Sequence, residues 1–171
     1  YKNDSVIKNM WNLMDEKNIS KRIVDDLFDG VSSDLKEEVK IKSEKELLVY
    51  CYRVAGTVGL MMAKIFGVQR KESLQRAIDL GIAMQLTNIA RDVIEDGKKN
   101  RTYLIKKSNN TFLDTKNTIL KADTFYNSSF EGIRDIPINC RFSIIVARRV
   151  YRQIGKKILE KKDLFNYQKA G

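Results

Sequence analysis

In the stretch QLTNIARDVIEDGKKNRTYL, residues 85 to 104, Gln85, Asn88, Asp92 and Asp96 recur at three- and four-residue steps. At about 100° per residue they share an arc of roughly 80° on one helix face. Apolar Ile78, Ile82, Leu86, Ile89 and Val93 take the neighbouring directions, so the row does not simply mark the solvent side of an amphipathic helix. A bare carboxylate buried there is costly or takes up a proton, and a bound cation relieves both. Two carboxylates and an amide oxygen, with no His or Cys nearby, are hard donors that suit Mg²⁺ or Mn²⁺ rather than zinc or copper. Mg²⁺ fills the rest of its octahedron with water and phosphate oxygens, which makes a phosphorylated ligand the natural companion. Arg91, Lys98, Lys99 and Arg101 stand close by to neutralise one. Spacing alone leaves a second reading equally open: Asp92 and Asp96 end a helix and pair with those cations on the surface.

The elements that must position this row are helical. Its own helix is expected from Glu72 to about Asp96, with Gly97 as the stop. Before it, Ser43 with Glu46 resembles a capping box that opens a long helix from Glu44 to about Phe66. That helix carries Ala55, Gly56, Thr57 and Gly59, and each Gly weakens an isolated helix by about 1 kcal/mol relative to Ala, so a close approach is expected there. Apolar stripes predict a helix from Ser5 to about Ser20 through Val6, Met10 and Trp11. A second runs from about Ser20 through Ile23 and Leu27 toward Gly30. Residues 32–42 and 98–111 read as loops. Two further helices, about Leu113 to Ile133 and Ile138 to Leu159, are separated by Pro137. With 171 residues, 43% of them hydrophobic, one Pro, and neither repeat nor linker, the chain reads as one all-α domain over 1–171.

Composition excludes several chemistries. There is no His, which removes Ser-His-Asp and Cys-His catalysis and every His-ligated zinc site. Cys51 and Cys140 lie far apart in no metal-ligand spacing and read as reduced thiols of a cytoplasmic protein. No run of about 18 apolar residues predicts a membrane span, and no signal peptide is visible, although the first residue is Tyr1 rather than Met. The net charge of +10, from 32 Lys and Arg against 22 Asp and Glu, attracts any polyanion. The basic residues are scattered as on a solvated surface, and no nucleic-acid-binding motif accompanies them.

YCYRVAGTVGLMM at 50 to 62, followed by AIDLGIAMQLTNIARDVIEDGKKNRTYL at 77 to 104, resembles the paired signatures of the squalene/phytoene synthase family, most of all its bacterial phytoene synthases. Weaker similarity runs from LFDGVSSDL at 27 to 35 to ADTFYNSSFEGI and ARRVYRQI. The resemblance implies an all-helical isoprenoid synthase fold, a bundle around a central cavity. It also implies a head-to-head joining of two geranylgeranyl diphosphates, through a cyclopropyl diphosphate, to phytoene in carotenoid biosynthesis, with Mg²⁺ assisting diphosphate departure. On matched positions it makes Asn88, Asp92 and Asp96 metal ligands and places Gln85 and Arg91 on diphosphate. Tyr50 falls near the cation, and Val54, Ala55, Val58 and Gly59 on the cavity wall. Gly56 and Gly59 then either leave room for a prenyl chain or let two helices approach, while Cys51 and Met61 belong to the core.

The departures are specific. The family's first acidic motif has no counterpart here, since Asp25, Asp26 and Asp29 align with a different helix, and the chain stops soon after KKDLFNYQKAG, before the family's final helix. Ile105 replaces a usual Pro. An internal fragment, inactive alone and carrying one of two metal sites, is therefore expected. The alternatives are a squalene or dehydrosqualene synthase using farnesyl diphosphate, and a non-catalytic binding or assembly protein. A hydrophobic substrate and a basic surface also imply peripheral association with the inner membrane face.

Overall fold

The computed structural model describes residues 4–160; KKDLFNYQKAG lies outside them. Helix α1 (Ser5–Glu16) opens where the Asp4 carboxylate accepts the amide of Val6 at 2.8 Å. Helix α2 (Lys21–Ser33) passes through Gly30 instead of stopping there. A Cβ on Gly30 would lie 2.8 Å from both Arg53 Cβ and Val54 Cγ1, so this glycine serves a helix crossing and not a chain stop.

The capping pair forms one residue out of register. The Ser43 hydroxyl accepts the Glu46 amide at 3.2 Å, and the Glu46 carboxylate reaches back to the Lys42 amide at 2.8 Å. Residues 44–65 then wind as α3 (Glu44–Cys51), a π-helical turn over Tyr52–Gly56, and α4 (Thr57–Ile65). The Thr57 hydroxyl donates to the Arg53 carbonyl at 2.7 Å inside that turn. This run is long and apolar enough to cross a bilayer by length and composition. In the fold its small residues pack on the next helix and its larger ones line a cavity, uses that demand the same apolarity.

Helix α5 (Lys71–Lys98) is the axis of the fold. It continues through Gly97, and the chain turns at Asn100 instead, whose φ of 56° is the left-handed conformation that Asn tolerates. Beyond that turn β2 (Arg101–Thr102) pairs in parallel with β1 (Val39–Lys40), Val39 opposite Arg101 and Lys40 opposite Thr102. The two expected loops are thus stapled to each other. Helix α6 (Thr111–Phe130), a 3₁₀ turn (Glu131–Asp135) and α7 (Ile138–Glu160) complete the bundle.

The main core gathers Leu47, Cys51, Ile82, Leu86, Ile89 and Tyr126, with Ala83 and Ala122 letting α5 and α6 close up. Met14, Ile19 and Ile23 form a smaller core against Leu60 and Met61. Polar crosslinks fix the orientation. Thr87 and Tyr126 hydroxyls meet at 3.0 Å between α5 and α6. Buried Arg148 donates twice to the Tyr126 carbonyl and sits 5.1 Å over the Phe130 ring, seating α7 on α6.

Candidate functional site

A cavity of about 400 Å³ runs between α4, α5 and α7. From α4 and the π turn it is lined by Val54, Ala55, Val58 and Gly59, and from α5 by Ala77, Leu80, Met84, Gln85 and Asn88. The four wall residues inferred from the resemblance and two of the polar ones therefore share one space. The glycines do not make that space by vacancy. A Cβ on Gly59 would stand 2.3 Å from the Ala77 carbonyl oxygen, and one on Gly81 at 2.3 Å from that of Ala55. Small residues thus let α4 and α5 meet backbone to backbone, and Gly56 likewise faces Ile78 and Tyr52 at 3.1 Å. Close helix packing is the use made of these positions.

The polar row continues along α5 past the cavity mouth. Asn88 donates its amide to the Gln85 side-chain oxygen at 3.3 Å, while its own Oδ1 is buried and has no hydrogen-bond partner. An orphaned acceptor of this kind is costly unless a cation or donor completes it. One turn on, Arg91 Nε and Nη2 grip both Asp92 oxygens, each at 2.7 Å, and this bonding raises the Arg91 pKa. Asp96 is held above the ordinary carboxylate range, first by burial and then by the charge of Asp92, against the pull of Lys99 and Arg101. Among the described residues no three Asp, Glu, Cys or His side chains converge as a complete metal cage. Two carboxylates and one unsatisfied amide oxygen suit an ion that takes few protein ligands and keeps water or phosphate oxygens for the rest, and in that sense the donors fit Mg²⁺.

Tyr50 is not on the cavity wall. Its ring stacks on Tyr103 with centroids 4.8 Å apart, and each hydroxyl donates to a different oxygen of Asp34, at 3.1 Å from Tyr50 and 2.6 Å from Tyr103. Burial, then the Tyr103 hydroxyl and the Asp34 charge, raise the Tyr50 pKa strongly. Burial and the bond to Asp34 push Tyr103 up to about 12. Arg101 donates to the Asp34 carbonyl at 2.9 Å, and the negative field of Asp34 reaches Asp96. Asp34 is thus the hub that ties the tyrosine pair to the far end of the acidic row.

The π turn explains why Tyr50 and Val54, four residues apart, serve different places. One extra residue in a helical turn rotates the residues before it by about 100° relative to those after it. Asp34, Tyr103 and Tyr151, which lines the cavity and whose field reaches Arg91, were given no role from sequence. Each lies in a segment that carries the family resemblance, but nothing in their spacing connects them.

The folded chain is thus an all-helical bundle with an apolar cavity that leads to a row of oxygen donors. It has the isoprenoid synthase fold. A squalene synthase, HpnC of Alicyclobacillus acidocaldarius, superposes with a TM-score of 0.78 at 16% identity, over 87% of this chain and 63% of that one. A dehydrosqualene synthase superposes at 0.76 with 25% identity, over 99% of this chain and 72% of that one. The squalene/phytoene synthase family model matches residues 2–107, and the chain belongs to that family. It is 38% identical over 157 residues to the phytoene synthase of Pseudescherichia vulneris, covering 82% of this chain and 50% of the relative. The 15-cis-phytoene synthase of Pantoea ananas is 36% identical over 150 residues, 78% of this chain and 48% of the relative. The chain spans about half the length of these curated relatives.

Proposed function

We propose that the chain is the part of a phytoene synthase that holds a prenyl diphosphate, in an enzyme joining two geranylgeranyl diphosphates head to head. The observation that carries this reading is the continuous passage from an apolar cavity, through Gln85 and the orphaned Asn88 Oδ1, to Asp92 and Asp96. The identity to phytoene synthases supports the choice of product.

Asn88, Asp92 and Asp96 would hold Mg²⁺, with Mn²⁺ as a substitute, and the ion supplies Lewis-acid polarisation of the departing diphosphate. Arg91 now neutralises Asp92; on loading, the carboxylate turns to the cation and the guanidinium becomes available to phosphate oxygens beside Gln85. Leu80, Met84, Val54 and Ala55 exclude water from the allylic end, where water would quench a carbocation. Tyr50, protonated and fixed by Asp34, presents an oriented hydroxyl and ring without adding a negative charge. The second acidic motif that the two-substrate reaction requires has no counterpart in residues 1–171, so this reading assigns these residues one half-site and no turnover alone.

A Mg²⁺-dependent titration of a non-hydrolysable geranylgeranyl diphosphate analogue tests the half-site. Binding is expected to need both Mg²⁺ and Asp92, and binding unchanged by Asp92→Ala would overturn the reading. The neighbouring dehydrosqualene synthase favours a shorter, farnesyl substrate as the second reading. We also propose a cytoplasmic protein that works against an anionic membrane face, its charge of +10 contributing about 1 kcal/mol per well-placed Lys or Arg. Flotation with anionic but not neutral liposomes is the expected result, and sedimentation free of both would remove that proposal.

A further inference from the structure

The cavity has a direction and a length that follow from how α4 and α5 meet. Contacts of Gly81 with Ala55 and of Gly59 with Ala77 set an antiparallel register, in which a step forward on α4 is a step back on α5. Phe66, the residue capping α4, is thereby brought level with the beginning of α5. The α5 residues that line the cavity extend from Asn88 back to Ser73, which at 1.5 Å per residue is a span of about 22 Å. Polar groups at the Asn88 end are unsatisfied or solvent-facing. At the Ser73 end they are used up among themselves: Ser73 donates to Asp135, and Arg76 is held by Asp79, Ser128 and Glu131. Phe66, Val68 and Ile133 close that end, the last two only 5% exposed.

We infer that Phe66 is the floor of a tail channel admitting four isoprene units in line, and that this side chain selects prenyl length. The inference rests on the proposed reading of Asn88, Asp92 and Asp96 as the diphosphate end. With a C–C bond of about 1.5 Å advancing the chain by about 1.25 Å per carbon, four extended isoprene units reach about 20 Å and three about 15 Å. Four match the distance from the polar mouth to Phe66. A fifth unit meets the ring, and three leave the far end empty.

The test compares the 171-residue chain with Phe66→Ala. Mg²⁺-dependent affinities are measured for non-hydrolysable diphosphates of three, four and five isoprene units, and in parallel for the free prenyl alcohols of the same lengths. In the parent chain the four-unit ligand is expected to bind at least tenfold more tightly than the five-unit one. Phe66→Ala should shift the five-to-four ratio about tenfold toward the longer tail and leave three-unit affinity within twofold. Equal length ratios in parent and variant, or a parent preference for three units, overturn the inference. Alcohols that keep the length preference while no diphosphate binds leave the floor standing and sink the diphosphate reading instead. Should Phe66→Ala melt before the parent under assay conditions, Phe66→Leu replaces it with the same expected direction.

Discussion

At the scale of single residues, the acidic end of α5 is a place where charge works against folding until something neutralises it. The Asp96 pKa is raised in the folded chain, so the folded state holds that proton more tightly than the unfolded state does. Its stabilising contribution is therefore complete below the unfolded value and is lost as pH rises through the raised one. At neutral pH the charged carboxylate opposes folding in the metal-free chain. Asp96→Asn is expected to raise the Tm at pH 7 and to flatten its dependence through the acid range. A thermal melt series across pH checks this, and a lower Tm in the variant would contradict it. Asp34 predicts the reverse. Removing the one carboxylate that accepts two half-buried hydroxyls leaves both donors unpaired, at about 2–3 kcal/mol. Asp34→Ala should lower the Tm by roughly 5–10 °C, with Asp34→Asn milder because it keeps an oxygen acceptor. An ultraviolet titration of the Asp34→Ala chain should also find Tyr103 ionising below its present value of about 12.

At the scale of elements, the α4–α5 crossing is the joint on which cavity and acidic row both depend. Its tolerance for added volume is low, because the atom met at Gly59 is a backbone carbonyl oxygen and not a flexible side chain. Gly59→Ala is expected to force the helices apart at a cost of about 1–3 kcal/mol, a Tm loss of roughly 3–10 °C seen by circular dichroism. A variant as stable as the parent would mean that the crossing is looser than described. The same joint shows how far sequence reading goes. Small residues at Ala55, Gly56 and Gly59 announced that something comes close, and the close partner is α5 itself, through Ala77 and Gly81. Helix periodicity located every helix, yet the stops were misplaced at Gly30 and Gly97. A glycine needed for contact and a glycine needed to end a helix are the same letter, and only the neighbour across the crossing tells them apart. The π turn was equally invisible, since Tyr52–Gly56 has ordinary helix-forming context and its extra residue shows only in the separate placements of Tyr50 and Val54.

At the scale of the whole molecule, the outer face of α7 is apolar where nothing described covers it. Ile138, Phe142 and Val150 are 81%, 74% and 52% exposed, with Val146 on the same face. Such a row exceeds the scattered apolar residues of an ordinary surface. The chain should bind an apolar fluorescent dye and associate as concentration rises, both measurable by fluorescence and analytical ultracentrifugation. Phe142→Glu is expected to weaken both while moving the Tm by no more than about 2 °C; unchanged dye binding would place the patch elsewhere. The sequence by itself determined that the chain is helical, that His-based chemistry is absent, and that Gln85, Asn88, Asp92 and Asp96 share one helix face. These are consequences of composition and of the fixed turn of a helix, which need no knowledge of neighbours. Only the tertiary structure decided that Asn88 Oδ1 is buried without a partner, that Asp34 joins Tyr50 to Tyr103 across a loop pairing, and that the cavity ends at Phe66. Each of these depends on contacts between residues far apart in the chain, and such contacts are set by how helices pack rather than by the spacing of letters along any one of them.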